Sequence, residues 1–92
     1  MFCTYITVYK GNKLPQFYIG SSSVENVLSG YKGTVRSKMY KDIWKYEIKN
    51  NPHLFKTTII TRHASRKDAT EKENYFHHKL SVVKNPLYIN RA

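Results

Sequence analysis

Two tyrosines of this sequence fall in segments whose alternating pattern predicts β-strands. Tyr5 lies within residues 2–9, and Tyr18 lies within residues 17–20. Between them, the Gly-Asn pair at residues 11–12 favours a tight two-residue reversal. A turn centred on that pair sets Tyr5 directly opposite Tyr18, where opposed side chains have Cβ atoms about 5 Å apart. Two phenols at that separation could act on one ligand; the alternative is an ordinary cross-strand aromatic contact that stabilises the hairpin.

The two predicted strands present one apolar face and one mixed face. Because successive strand residues point to opposite sides, Ile6 and Ile19 share one side of the pair. Tyr5 and Tyr18 share the other side. We therefore expect the isoleucine side to be a core layer and the tyrosine side to be a solvent-exposed aromatic face.

A carboxylate falls within the apolar stripe of the longest predicted helix, residues 65–82. The stripe consists of Ala69, Phe76 and Leu80. Glu73 lies on the same face at helical spacing. Burying a carboxylate without a partner is costly, so Glu73 either pairs with one of the many cations or faces the site and holds a divalent metal. A single protein oxygen with several waters is a common way to hold Mg²⁺. His77 lies one helical turn from Glu73 and could touch the site, but we expect His63, His77 and His78 to be surface histidines.

The composition points to a polyanionic partner. The 92 residues contain 16 Lys and Arg against 6 Asp and Glu, a formal net charge of +10. That charge on a small domain favours nucleic acid, with acidic protein surfaces and lipid headgroups as the alternatives. Cys3 is the only cysteine, which excludes an intramolecular disulfide and a metal site of several cysteines. The apolar runs are too short to span a bilayer and no signal peptide is recognised, so we expect a cytoplasmic protein that does not act at a membrane.

The remaining pattern predicts an α+β fold in one domain of residues 1–92. A short helix capped by serines is expected after the second strand, a second helix over residues 37–49, and a third strand over residues 54–61. The C-terminal segment is expected to be extended, with Leu87 and Ile89 facing one way. These elements make a small central three-stranded, largely antiparallel sheet flanked by helices.

Glycines and cations cluster between the second predicted strand and the second predicted helix. Residues 30–33 read Gly-Tyr-Lys-Gly, so Tyr31 and Lys32 lie beside flexible glycines. That composition suits contact with a phosphate backbone, and it equally suits an ordinary solvated loop. Three further cations follow at the entrance of the helix: Arg36, Lys38 and Lys41.

Together these stretches resemble the GIY-YIG nuclease superfamily. Tyr18-Ile19-Gly20 matches the second half of the family signature, and Cys3-Thr4-Tyr5 stands where Gly-Ile-Tyr is usual. Residues 71–76 are similar to the Glu-x-aromatic motif of the family's metal-binding helix, and Tyr88-Ile89-Asn90 is similar to its closing motif. The order of the predicted elements also matches, and residues 30–38 look most like phage-encoded and homing-type members.

The resemblance implies hydrolysis of a DNA phosphodiester with Mg²⁺ or Mn²⁺ as cofactor. It makes Glu73 the metal ligand, Asn90 a residue that supports the site, and Gly20 the glycine that lets the strand exit near the substrate. It also implies that Tyr5 accepts or relays the proton of the attacking water, while Tyr18 positions the water or the phosphate.

The sequence departs from the family pattern at the catalytic arginine. Residues 21–30, where the family usually carries it, contain no arginine or lysine. Arg36 is the expected substitute, because a guanidinium binds two phosphate oxygens at once and keeps its charge; Lys32 is the second choice. The expected nucleic-acid contacts are Gly20, Tyr31, Lys32, Lys38 and Lys41.

Three functions fit these residues. The first is a metal-dependent DNA endonuclease of the homing type, phage-encoded and acting in a bacterial cytoplasm. The second is a catalytically weak or inactive module that binds nucleic acid, favoured by the missing arginine and the degenerate first half of the signature. The third is a structural domain of a larger assembly. For the endonuclease, a homodimer, a separate DNA-targeting region or a partner would direct the cut.

Overall fold

The computed structural model describes residues 1–82 and 84–90, which have an α+β fold. The strands are β1 (Phe2–Tyr9), β2 (Phe17–Ser23) and β3 (Phe55–His63), and the helices are α1 (Val24–Leu28), α2 (Lys41–Asn50) and α3 (Arg66–Lys79). A 3₁₀ turn, Pro52–Leu54, precedes β3. The strands form one antiparallel sheet in the order β2-β1-β3. The expected three-stranded antiparallel sheet flanked by helices is therefore confirmed.

The register of β1 with β2 differs from the expected one. Tyr5 pairs with Gly20, and Thr7 pairs with Tyr18. The expected pairing of Tyr5 with Tyr18 is therefore wrong by two residues. Because the shift is an even number of residues, each side chain keeps its expected face of the sheet.

The connection between β1 and β2 explains the shift in register. The Tyr9 N–H donates to the Gln16 carbonyl at 2.8 Å, so residues 10–15 form the loop between the two strands. The Lys10 N–H donates instead to the carbonyl of Leu54 at 2.8 Å. Since that donor is already used, Lys10 does not extend the β1–β2 ladder, and a longer loop closes the hairpin in place of a two-residue turn.

Helix α3 covers the isoleucine side of the sheet. The Thr4 hydroxyl of β1 donates to the carbonyl of Ala69 in α3 at 2.9 Å. Phe76 of α3 packs in the same cluster as Ile6 and Ile19. This side is the core layer that the alternation predicts.

The tyrosine side is covered as well, so the expectation of an exposed aromatic face is wrong. Val24 and Val27 of α1 pack against Tyr5, which is only 1% exposed. Trp44 of α2 packs against Tyr18, with ring centroids 5.7 Å apart. The short helices bury their apolar side chains on this face, and burial of apolar area is what holds them to the sheet.

Helix α2 begins four residues later than the sequence predicts. The carbonyl of Ser37 accepts hydrogen bonds from the N–H groups of Tyr40 and Lys41, at 3.2 and 2.8 Å. These bonds close a turn over residues 37–40, and regular helix follows from Lys41. The predicted start at Ser37 is therefore wrong.

Helix α3 begins as predicted and ends early. The Ser65 hydroxyl accepts from the Asp68 N–H at 3.1 Å, as a capping residue does. The helix stops at Lys79, before Ser81, whose φ of 52° is left-handed. The predicted end near Val82 is wrong. Within residues 1–82 and 84–90, no helix combines the length and the apolar character that crossing a membrane requires.

The C-terminal segment lies along the outer edge of β2. Phe17 donates its N–H to the carbonyl of Leu87 and accepts from the N–H of Ile89, both at 2.8 Å. This makes a short parallel bridge between Phe17 and Tyr88. Ile89 is buried while Leu87 is 51% exposed, so only one of the two residues expected to face one way belongs to the core. The N–H of Leu87 donates to Oδ1 of Asn85 at 3.0 Å, which places Leu87 in a turn.

Candidate active site

One pocket at the β2 edge of the sheet gathers side chains from five separate segments of the chain. Its volume is about 390 Å³, and its lining includes Tyr5, Tyr18, Arg36, Glu73 and Asn90. These residues come from β1, β2, the segment before α2, α3 and the C-terminal segment. The five residues expected to act in catalysis therefore lie together, and their individual roles stay predictions.

Gly20 makes room for the phenol of Tyr5. A Cβ at position 20 would lie 2.6 Å from the Tyr5 hydroxyl and 2.8 Å from Cε1 of Tyr18. The two rings are 6.2 Å apart between centroids and tilted by 30°. Tyr5, on the central strand, can therefore extend over the edge strand into the pocket. Gly20, expected as a nucleic-acid contact, is buried beneath these rings and does not line the pocket.

Burial raises the pKa of both signature phenols. For Tyr5, loss of solvation is the main cause, and the neighbouring phenols of Tyr18 and Tyr31 raise the pKa further. For Tyr18, loss of solvation is again the main cause of the raised pKa. Both side chains are therefore neutral phenols at neutral pH, and each keeps the proton on its hydroxyl.

Thr34 joins two tyrosines of the pocket to the loop beside it. The Tyr18 hydroxyl donates to the Thr34 carbonyl at 3.2 Å. The hydroxyls of Tyr31 and Thr34 are hydrogen-bonded at 2.7 Å. Tyr31 lines the pocket, and its ring and that of Tyr5 are nearly perpendicular, with centroids 6.2 Å apart; its role as a nucleic-acid contact stays a prediction. The hydroxyl proton of Tyr18 is thus directed at the loop, which leaves Tyr5 as the phenol better placed for proton transfer.

The loop of residues 30–36 is held to the sheet by long-range hydrogen bonds. The Thr7 hydroxyl of β1 donates to the carbonyl of Lys32 at 2.8 Å. The indole N–H of Trp44 donates to the carbonyl of Gly33 at 3.2 Å. These bonds tie the loop to β1 and α2 and fix the path of the backbone that enters the pocket.

The expected cations take different positions. Arg36 is exposed and lines the pocket. The Lys32 ammonium group turns back to the carbonyl of Gly30, at 3.0 Å, and lies outside the pocket lining. Lys38 and Lys41 are exposed and also lie outside it. Of the cations suggested as the family arginine's substitute, Arg36 is the one at the pocket.

Glu73 is approached from two sides. The Ser21 hydroxyl donates to Oε1 of Glu73 at 2.7 Å, and Nε2 of His77 lies 3.4 Å from Oε2. The same imidazole nitrogen is 3.2 Å from the carbonyl of Ile19. The expectation that His77 is a surface histidine is therefore wrong, because it fills the space between α3 and β2.

Sequence reasoning missed Ser21 as a site residue. The serines after Gly20 were expected to cap a helix, and Ser23 does so by accepting from the N–H of Asn26 at 3.1 Å. Ser21 instead belongs to β2. The available signal was its alternation with Ile19, which puts Ser21 on the same side of the sheet as α3 and Glu73.

The donor set around Glu73 fits a hard cation held by few protein ligands. Within residues 1–82 and 84–90, no group of three His, Cys, Asp or Glu side chains could hold a metal ion. A metal at Glu73 would therefore take most of its ligands from water and phosphate. Mg²⁺ is commonly held this way, and carboxylate oxygen suits both Mg²⁺ and Mn²⁺.

Asn90 completes the outer edge of β2. Its amide oxygen accepts from the N–H of Ile19 at 2.8 Å, and its amide nitrogen donates to the carbonyl of Ile19 at 2.7 Å. The side chain thus makes the two bonds that the N–H and carbonyl of a residue on a neighbouring antiparallel strand would make. The supporting role that the resemblance implies for Asn90 has a physical basis here, since these bonds fix the strand beside Gly20.

Comparisons with known proteins gave no match to this chain among protein-family models, curated proteins or solved structures.

Proposed function

We propose that this chain is a metal-dependent DNA endonuclease of the GIY-YIG type, which hydrolyses phosphodiester bonds. The observation that carries the proposal is that Tyr5, Tyr18, Arg36, Glu73 and Asn90 line one pocket. Five residues selected for motif matches and charge would otherwise scatter over the fold. Within the family, phage-encoded homing endonucleases are the type we expect.

The charges of the pocket suit a phosphodiester bound together with a cation. The net charge of +10 attracts polyanions over long range. Arg36 offers a guanidinium that can bind two phosphate oxygens. Glu73 would repel the same phosphate unless a cation lay between them, and this favours a metal ion in the pocket.

Glu73 would hold Mg²⁺ or Mn²⁺. When bound, such an ion neutralises charge on the scissile phosphate and on the leaving oxygen. The Ser21 hydroxyl, by donating to Oε1, fixes the orientation of the carboxylate. Arg36 would stabilise the charge that develops on the phosphate oxygens.

Tyr5 is the residue we assign to proton transfer. Because burial raises its pKa, the phenol does not act as a preformed base at neutral pH. It can relay a proton: as it takes one from the attacking water, its own hydroxyl proton passes to a non-bridging oxygen of the bound phosphate, and such positioned transfer is worth about 10²- to 10⁴-fold in rate. Tyr18, whose hydroxyl donates to the Thr34 carbonyl, holds the loop in place, and its oxygen can still accept a hydrogen bond that positions the attacking water.

The first test is incubation of supercoiled plasmid with the protein and Mg²⁺ or Mn²⁺. We expect conversion to nicked or linear DNA that requires the metal and is lost in Glu73→Ala. Glu71→Ala is the matched control, since Glu71 is an exposed carboxylate on the same helix outside the pocket; it should cut normally. An intact plasmid with both metals, together with a gel shift that shows binding, would remove the catalytic part of the proposal.

The second test concerns the substituted arginine. We expect Arg36→Ala to slow nicking by about 10² to 10³-fold, the usual loss when one donor to a developing oxyanion is removed. Lys38→Ala makes the same change in charge just outside the pocket, and it should slow nicking far less. Equal losses in the two variants would mean that Arg36 contributes only general positive charge.

A second candidate function is a nucleic-acid-binding module without catalysis. The observation that favours it is that both carboxylate oxygens of Glu73 already have partners, Ser21 and His77. Such a module would bind DNA or RNA with the same salt sensitivity and leave the plasmid intact. Cutting of both strands by the endonuclease would need a second copy, rebinding or a partner, because one pocket makes one cut.

A further inference from the structure

A second concave surface adjoins the pocket, on the side of α2. It is a groove of about 240 Å³ between residues 33–35 and the helix, and it shares Thr34 and Val35 with the pocket lining. The groove therefore begins where the wall of the pocket ends.

The floor of the groove is apolar and its rim is cationic. Val35, Trp44 and Ile48 form the floor; Val35 and Trp44 are 7% and 3% exposed. Lys45 and Lys49 form the rim on α2, and both are exposed. An apolar floor suits the sugar of a nucleotide, and ammonium groups on the rim suit its phosphates.

The two rim lysines are spaced for a phosphate backbone. They lie one helical turn apart on the same side of α2, about 6 Å along the axis. Both side chains are long and flexible, so their ammonium groups can contact phosphates of the same strand. Among residues 1–82 and 84–90, those that line the groove include no carboxylate; Asp42, the acid of the first turn of α2, is exposed and lies outside it.

The opposite wall of the groove is preformed. Gly33 has a φ of 116°, and its carbonyl accepts from the indole N–H of Trp44 at 3.2 Å. This bond ties the loop wall to the helix that carries the lysines. A ligand strand would therefore meet a surface that needs no ordering, which reduces the entropy lost on binding.

We propose that this groove binds the DNA strand next to the scissile phosphate, with Lys45 and Lys49 contacting its backbone. The inference rests on the proposed nuclease function and adds the path of the substrate strand from Arg36 toward α2. It also assigns backbone contact to two lysines other than Lys38 and Lys41.

The test is DNA binding without metal, so that it does not depend on cleavage. A labelled short DNA duplex is titrated in EDTA at several salt concentrations with wild type and with Lys45→Ala/Lys49→Ala. Loss of two phosphate contacts should make the slope of log K against log salt shallower by about 1.8. Circular dichroism checks folding, and alanine is a good helix former at these exposed positions.

The matched control is Lys56→Ala/Lys67→Ala, which removes the same charge from exposed positions on β3 and α3. Its salt slope should stay close to that of wild type. Equal slopes in the two double variants, or no DNA binding by wild type, would overturn the inference. If Lys45→Ala/Lys49→Ala makes the salt slope shallower while wild type leaves the plasmid intact, the groove is a nucleic-acid surface and the nuclease function is wrong.

Discussion

Tyr5 lies directly opposite Gly20 in the antiparallel pair of β1 and β2, and its hydroxyl occupies the space that a side chain at position 20 would fill. A phenol on the central strand can reach a pocket at the sheet edge only because the edge strand has no side chain there. The proposed proton-transfer residue therefore depends on its cross-strand neighbour.

Gly20→Ala should destabilise the fold and displace both phenols. The new Cβ would be 2.6 Å from the Tyr5 hydroxyl and 2.8 Å from Tyr18, and overpacking of this kind costs about 1–3 kcal/mol. Urea unfolding measures the loss in free energy of unfolding. In a Tyr5→Phe background the loss should be smaller, since the nearest clashing atom is gone. An equal loss in both backgrounds would show that the hydroxyl is not what fills the space.

Gly33→Ala should cost more stability than Gly30→Ala. Both glycines have positive φ, 116° and 111°, and a side chain in such a conformation costs about 1–3 kcal/mol. Only at Gly33 would the Cβ also meet the ring of Tyr18; at Gly30 it meets open space. The difference between the two unfolding free energies isolates the contact with Tyr18, and equal values would argue against it.

Asn90→Ala should lower the free energy of unfolding by about 1–3 kcal/mol, because the N–H of Ile19 loses its partner and the carbonyl keeps only His77. Asn90→Asp keeps the acceptor for the N–H and places a carboxylate against the Ile19 carbonyl. We expect it to be destabilised as well. If Asn90→Asp were as stable as wild type at neutral pH, the amide would not be acting as a strand partner.

The buried carboxylate of Glu47 should make stability depend on pH in the acid range. Hydrogen bonds from the Tyr9 hydroxyl and the Asn51 amide lower the pKa of Glu47 below its ordinary 4.5. A lowered folded-state pKa stabilises the fold above pH 4.5, and this contribution is lost as the pH falls through the folded-state value.

Glu47→Gln is the variant that measures this contribution. Its deficit in free energy of unfolding relative to wild type should be largest near neutral pH and should shrink below about pH 4.5. Tyr9→Phe, which removes the first donor, should reduce the pH dependence in part. A deficit that stays constant from neutral pH to pH 3 would contradict the assignment.

The local sequence pattern was enough to predict the strands and helices and several of their ends. The alternation around Tyr5 and Ile6 predicted β1 and its two faces, and Ser65 with Asp68 predicted the start of α3. These features follow from backbone geometry and neighbouring side chains, which a short stretch of sequence specifies by itself. A short stretch of sequence likewise specifies that Glu73 lies on the inner face of α3.

The site required partners far along the chain. The register of Tyr5 with Gly20 depends on the bond from Lys10 to Leu54, and the position of His77 depends on β2. Whether Arg36 or Lys32 enters the pocket depends on the loop between them, which Thr7 and Trp44 hold from other elements.

By itself, then, the sequence of this protein determined its periodicity: which residues form strands and helices, which side of each is apolar, and that the chain is strongly basic. The tertiary structure decided the register of β1, the burial of the tyrosine side and the choice among the cations. The physical reason is that periodicity is a property of neighbouring residues, whereas register and burial come from contacts between segments that are distant in sequence, and many arrangements of those segments satisfy the same local pattern.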